Sequence, residues 1–144
     1  MTEIEDLKPI EQANQLDVSQ YEGSRVEIEK TEVVDMTTNY DDNGNWVEGL
    51  ARPCKMLKVT TKALTKLDLG NGTIKDITAS ELFNLKQNKK TMVWGWSENE
   101  KGKLFRFFKK LKVNSPKELV GKLVTVTLRP DKKDPNKNWL GFVV

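Results

Sequence analysis

One run of helical period stands between stretches of period two, and that order constrains the fold more than any other feature of the chain. Leu104, Phe107, Phe108 and Leu111 recur at i, i+3, i+4 and i+7, with Lys103, Arg106, Lys109, Lys110 and Lys112 around them and Phe105 off the stripe. The spacing predicts an amphipathic helix that packs one face and leaves a cationic one in water. Ahead of it, SRVEIEKTEVVDM places Val26, Ile28, Val34 and Met36 on one face of a long strand and Arg25, Glu27, Glu29 and Asp35 on the other. Lys30 and Glu32 interrupt the apolar face, which predicts a bulge or strong coiling there.

The second strand is read in CKMLKVTTKALTKL, with Leu57, Val59, Ala63 and Leu67 on one side and Lys58, Thr60, Lys62 and Lys66 on a basic other side. Between these strands TTNYDDNGNWVEGLARP is dense in Asn, Asp and Gly, and reads as a long loop or hairpin tip around Asn43-Gly44 that carries Tyr40 and Trp46. Asp68 to Gly72 is a tight turn, after which TIKDITA is expected to pair as a third strand with the second. Ser80 is expected to cap a short helical turn through SELFNLK. After the main helix, Ser115-Pro116-Lys117-Glu118 has the form of a capping box. KLVTVTLR then alternates as a fourth strand, a basic loop PDKKDPNKN follows, and WLGFVV forms a fifth.

Three strands, one helix and two more strands give an all-β fold with one main helix. Their order matches the five-stranded Greek-key barrel known as the OB-fold, whose ligand surface is the face of strands two and three flanked by the loops joining strands one to two and four to five. Residues 1–20 lack a sustained period of either kind and read as an acidic N-terminal segment, a flexible arm or a short edge element, leaving 21–144 as the domain.

Charge is small in sum and polar in distribution. The net +3 hides thirteen acidic against three basic residues in 1–51, and twelve basic against three acidic in 101–144. A basic surface built from the later segments would attract a polyanion; the acidic strand and arm are expected either on the opposite side or, in the alternative, with the arm competing for the basic groove when nucleic acid is absent. Single-stranded nucleic acid needs aromatic faces for its bases and Lys or Arg for its phosphates. The candidates are Tyr40, Trp46 and Arg52 on the first loop, Lys58, Lys62 and Lys66 on the strand face, and Lys132, Lys133 and Lys137 on the last loop with Trp139 beside it. Trp139 and one of Trp94 or Trp96 are the alternatives for filling the core.

The run KLFRFFKKLKVNSPKELVGKLVTVTLRP, followed by WLGFVV, resembles the carboxyl half of compact OB-fold single-stranded DNA-binding proteins, including divergent viral and archaeal ones. The resemblance covers roughly a third of the chain closely and the rest through strand order, so it bears on fold more than on function. The chain departs from the bacterial pattern in ending at Phe142-Val143-Val144 without an acidic-tipped tail, and it lacks the zinc-ligand cysteines of replication-protein subunits.

An enzyme is not expected. There is no His to serve as base or ligand, and Cys54 is the lone cysteine. The stretch from Asn39 to Gly44 misses the calcium loop's acidic last position, where Leu50 stands. No metal or cofactor is implied. The expected partner is single-stranded DNA (or RNA), bound with little sequence preference; the alternative is a protein-interaction or assembly module on the same barrel, and free strand edges would allow a homodimer. No apolar stretch suggests a membrane anchor or a secretion signal, which gives a cytoplasmic expectation, the host cytoplasm if the chain is viral.

Overall fold

The computed structural model describes residues 18–41, 43–98, 101–131 and 138–144. Among the described residues the fold is mostly β with one α-helix. The strands are β1 (Arg25–Thr38), β2 (Arg52–Thr61), β3 (Thr65–Asp68), β4 (Ile74–Ile77), β5 (Ser80–Asn84), β6 (Lys86–Gln87), β7 (Trp94–Gly95), β8 (Leu123–Pro130) and β9 (Asn138–Phe142), with helix α1 (Lys103–Leu111) between β7 and β8. Five strands form an antiparallel sheet in the order β5-β2-β1-β8-β9, while β3-β4 and β6-β7 are separate two-stranded hairpins.

Strand β1 serves both halves of the sheet. Its first residues, Arg25 to Glu27, pair with β8, and from Ile28 onward it pairs with β2. The register shifts between Ile28 and Lys30, where the broken pattern predicts a bulge. One inserted residue exchanges the two faces downstream. Val26 and Ile28 are buried as expected; beyond the shift the register sets Val33 opposite buried Leu57, yet Val33 is 58% exposed, Val34 is half-buried opposite Met56, and Met36 is 40% exposed. The expectation that Val34 and Met36 share the inner face of Val26 and Ile28 is corrected for that reason.

The region after β2 also departs from the sequence reading. The strand read through Leu67 ends at Thr61, and TIKDITA pairs with β3 in a side hairpin, Thr65 opposite Ile77. Thr61 marks the break. Its backbone N–H donates to the carbonyl of Ala79, and its Oγ1 accepts from the Ala79 N–H at 2.9 Å, so the chain returns to the sheet at that point. SELFNLK therefore enters as strand, not helix: Ser80–Asn84 is β5, with Leu57 opposite Phe83 and Val59 opposite Glu81. The spacing of Leu82, Phe83 and Leu85 is compatible with either period over so short a run, and the free edge of β2 decides the outcome.

The two edge strands, β5 and β9, face each other across a seam with no backbone ladder among the described residues, so the sheet does not close into a barrel. Side chains fill the seam. Phe107 of α1 stacks between Phe83 of β5, ring centroids 5.2 Å apart, and Phe142 of β9, 5.6 Å apart. Beside them Glu81, only 3% exposed, accepts from the Phe142 N–H at 3.1 Å and from Arg129 Nε at 2.9 Å through Oε1, and from Lys103 Nζ at 3.3 Å through Oε2. A buried carboxylate is tolerated when charges and donors surround it as they do here. Arg129 completes the clasp by donating to the Phe142 carbonyl at 3.0 Å.

The remaining core is Val26, Ile28, Leu57, Val59, Ala79, Leu104, Phe108, Val113, Leu119, Val124, Val126 and Leu140. The helix ends where Lys112 turns left-handed at φ 59°, and Glu118 accepts from the Asn114 and Ser115 amides at the start of the short turn Pro116–Leu119, as the capping-box motif predicts. No helix among the described residues is long and apolar enough to cross a membrane.

Candidate nucleic-acid interface

Strands β1 and β2 run past the core as a two-stranded arm, and the loop read from TTNYDDNGNWVEGLARP is its tip. Asp41 organises it: one carboxylate oxygen accepts from the backbone N–H groups of Asn43 and Asn45, each at 2.9 Å. Those two amides, that of Asn45 foremost, and the neighbouring Arg52 charge hold the Asp41 carboxyl below its ordinary value of 3.8, outweighing the opposing effect of desolvation. Tyr40 and Trp46 form an isolated β-bridge across the tip, with their rings edge to face at 5.2 Å. Both rings are more than half exposed, Tyr40 at 51% and Trp46 at 62%. A free ring pair in water loses apolar contact on all its open faces, so the tip presents stacking surface that the fold itself does not use.

Arg52 has a different part from that expected of a phosphate contact. Its Nε and Nη2 both donate to the Tyr40 carbonyl, at 3.1 and 3.0 Å, which ties the base of the tip to β2. Asn39 Oδ1 accepts from the Ala51 N–H at 2.9 Å and closes the loop from the other side. The aromatic pair is thus mounted on a braced hairpin, not on a free loop.

Residues directly opposed in an antiparallel ladder share a face. Because Leu57 and Val59 are buried, the other parity of β1, β2 and β5 faces outward: Met36 opposite Cys54, Val34 opposite Met56 and Asn84, and Glu32 opposite Lys58 and Leu82. By register this face carries half-buried Val34, Cys54, Met56 and Leu82 and exposed Met36, with Lys58 at one end and Arg52 and the aromatic tip toward the other. Sequence reading missed this set because the register shift in β1 is what sets Val34 and Met36 on the face of Cys54 and Met56. The bulge signal at Lys30 and Glu32 was the only clue to it.

The lysines divide. Lys58 has no ion-pair partner among the described residues. Lys62 lies 2.7 Å from Glu27, whose hydrogen bond and charge raise the Lys62 ammonium above its ordinary 10.5. Lys66 lies 3.9 Å from Asp76 across the β3-β4 hairpin, and Lys55 is 2.6 Å from Asp35. The acidic first strand is consequently not on the opposite side from the basic second strand; the two are neighbours and offset each other's charge. Trp139 is 42% exposed on edge strand β9, opposite Arg129, and two strands separate β9 from β2. It does not fill the core, and it is not in contact with the Tyr40–Trp46 pair. Trp96 packs edge-on to Phe108 at 5.4 Å and takes the supporting part in the core expected of one of the two tryptophans. Lys132, Lys133 and Lys137, and the arm before Val18, lie outside the described residues.

The structure thus brings together Tyr40, Trp46 and Arg52, adjoins Lys58 through the outer face, and leaves Lys62, Lys66 and Trp139 apart from them. Among the described residues no cluster of three or more potential metal ligands occurs. No family model, curated protein or solved structure matches the chain.

Proposed function

We propose that the protein binds single-stranded nucleic acid, DNA in the first instance, without catalysis, on the outer face of β1, β2 and β5 and the aromatic tip beyond it. In this reading the sheet is a partly open OB barrel. The order β5-β2-β1-β8-β9 with the helix between β5 and β8 is the OB strand order once the two side hairpins are set aside, and the Glu81 clasp stands where the barrel would close. The observation that carries the function is the exposed Tyr40–Trp46 pair, braced by Asp41 and Arg52 at the end of that face. Bases stack on such rings at about 1 to 3 kcal/mol each, and the outer face continues the surface on which further bases can lie. Lys58 supplies a phosphate contact.

The test is oligothymidine binding by wild type and two variants. Trp46→Ala weakens binding by about 5- to 150-fold, the loss of one stacked base. Lys58→Ala lowers the salt dependence of the affinity by about 0.7 in the log–log slope, the value of one single-strand phosphate. Wild-type affinity in Trp46→Ala would remove the tip from the interface. Binding to an apolar protein surface, the rival reading, would show little dependence on salt.

A further inference from the structure

The β6-β7 hairpin has a composition that the fold does not explain. From Asn84 to Ser97 the chain carries Lys86, Lys89 and Lys90 and no carboxylate, together with Trp94 and Trp96. None of the three lysines has an ion-pair partner among the described residues, in contrast to Lys55, Lys62 and Lys66. The connecting loop is closed by its own backbone: Asn88 N–H donates to Val93 O at 2.8 Å, Met92 N–H to Asn88 O at 2.7 Å, and Asn88 Oδ1 accepts from the amides of Lys90 and Thr91. Lys89 and Lys90 therefore stand at a fixed turn.

Beneath the turn lies an open groove of about 450 Å3, lined by Lys86, Gln87, Asn88, Thr91, Trp94 and Trp96 among others. Trp94 is half buried there, Trp96 is held by Phe108, and neither indole N–H has a hydrogen-bond partner among the described residues. The groove also lies at the right end of the sheet. The Leu85 N–H donates to the Lys55 carbonyl, so β5 continues alongside β2 toward Arg52 before it enters the hairpin. The hairpin thus leaves the sheet at the end of β2 that leads to Arg52.

We infer that this groove is a second nucleotide-binding subsite for the same single strand, with a base against Trp94 and its phosphates at Lys89 and Lys90. The inference rests on the proposed nucleic-acid function, and it places a contact outside the strand face and the two loops that the sequence pointed to. Lys86 and the two indoles line the groove, Lys89 and Lys90 stand on the turn beside it, and the stretch from Asn84 to Ser97 holds no carboxylate, which suits a polyanion carrying flat bases.

The four tryptophans give four indole N–H signals by NMR, which reports each site separately. Titrating the full-length chain with oligothymidine is expected to move the Trp94 signal as well as that of Trp46, and to keep moving Trp94 in the Trp46→Ala variant at higher ligand concentration. The double variant Lys89→Ala/Lys90→Ala, on an exposed turn, is expected to lower the salt slope by about 1.4, two phosphate contacts. If Trp46 moves while Trp94 stays and the double variant binds as wild type with the same salt slope, the second subsite is overturned and the tip survives. If wild type does not bind at low salt, both fall.

Discussion

Gly141→Ala is a one-carbon change whose cost can be worked out from the seam. A Cβ at Gly141 would lie 2.3 Å from Glu81 Oε1, 2.9 Å from Arg129 Cγ and 3.1 Å from Glu81 Cδ, whereas ordinary contact begins at 3.4 Å. The carboxylate must retreat by about 1 Å to remove the overlap. It cannot do so and keep Oε1 at 3.1 Å from the Phe142 N–H and 2.9 Å from Arg129 Nε. Hydrogen bonds to a charged group contribute about 1.5 to 3 kcal/mol each, and Arg129 can follow the carboxylate part of the way. Replacing glycine also removes about 0.4 to 1 kcal/mol of unfolded-state entropy. The expected net loss is about 2 to 4 kcal/mol, a large share of the roughly 5 to 15 kcal/mol that holds a domain folded. Urea unfolding followed by circular dichroism measures it as a lower midpoint at unchanged slope. The mechanism is tested by repeating the substitution in Glu81→Ala, where no carboxylate remains to be displaced, only Arg129 Cγ must give way, and the added methyl costs less than it does in wild type. A neutral Gly141→Ala, or the same loss in both backgrounds, would refute the clasp as the source.

Neighbouring threonines on β2 make opposite predictions. Thr61→Val leaves the buried Ala79 N–H without its acceptor and costs about 1 to 3 kcal/mol, while Thr60→Val removes a hydroxyl that has no partner among the described residues and is neutral or stabilising by about 1 kcal/mol in the same urea assay. Glu118→Ala removes the acceptor of the Asn114 and Ser115 amides and lowers stability by about 1 kcal/mol. Asp41 has a depressed folded-state value, so its support of the arm tip is complete above 3.8 and is lost as pH falls through the lower folded value. The Asn45 amide shift in an acid titration is expected to turn below pH 3.8, and a midpoint at or above that value would contradict the Asp41 contacts.

Helix α1, the capping box at Ser115, the tight turn after Asp68 and the β8 and β9 pattern were all legible because their signals are local: a sustained period, a cap, a pair of glycines. The exposed tip was legible for the same reason, since Asn, Asp and Gly around Trp46 leave it nothing to pack against. What escaped depended on partners distant in sequence. SELFNLK has no intrinsic preference strong enough to resist the open edge of β2, and no periodicity in Val33 to Met36 reveals that a bulge five residues earlier exchanges their faces. Nor could net charge by segment show that β1 and β2 are neighbours whose Glu27–Lys62 and Asp35–Lys55 pairs consume part of the expected basic surface. The Glu81 clasp did leave a trace. Gly141 stands inside an otherwise bulky strand, which signals close approach of another group, and Glu81 begins an alternating run whose next inward residue is Phe83.

The nucleic-acid function requires that the aromatic tip meet a single strand. Tryptophan fluorescence of the folded, full-length protein, titrated with oligothymidine over a series of salt concentrations with duplex DNA as competitor, asks this directly. Stacking on Trp46 predicts quenching at low salt, an affinity that falls linearly with the logarithm of salt, weak competition by the duplex, and most of the signal lost in Trp46→Ala. Unchanged fluorescence at low salt, in a sample whose circular dichroism shows the β-sheet intact, would contradict the nucleic-acid function.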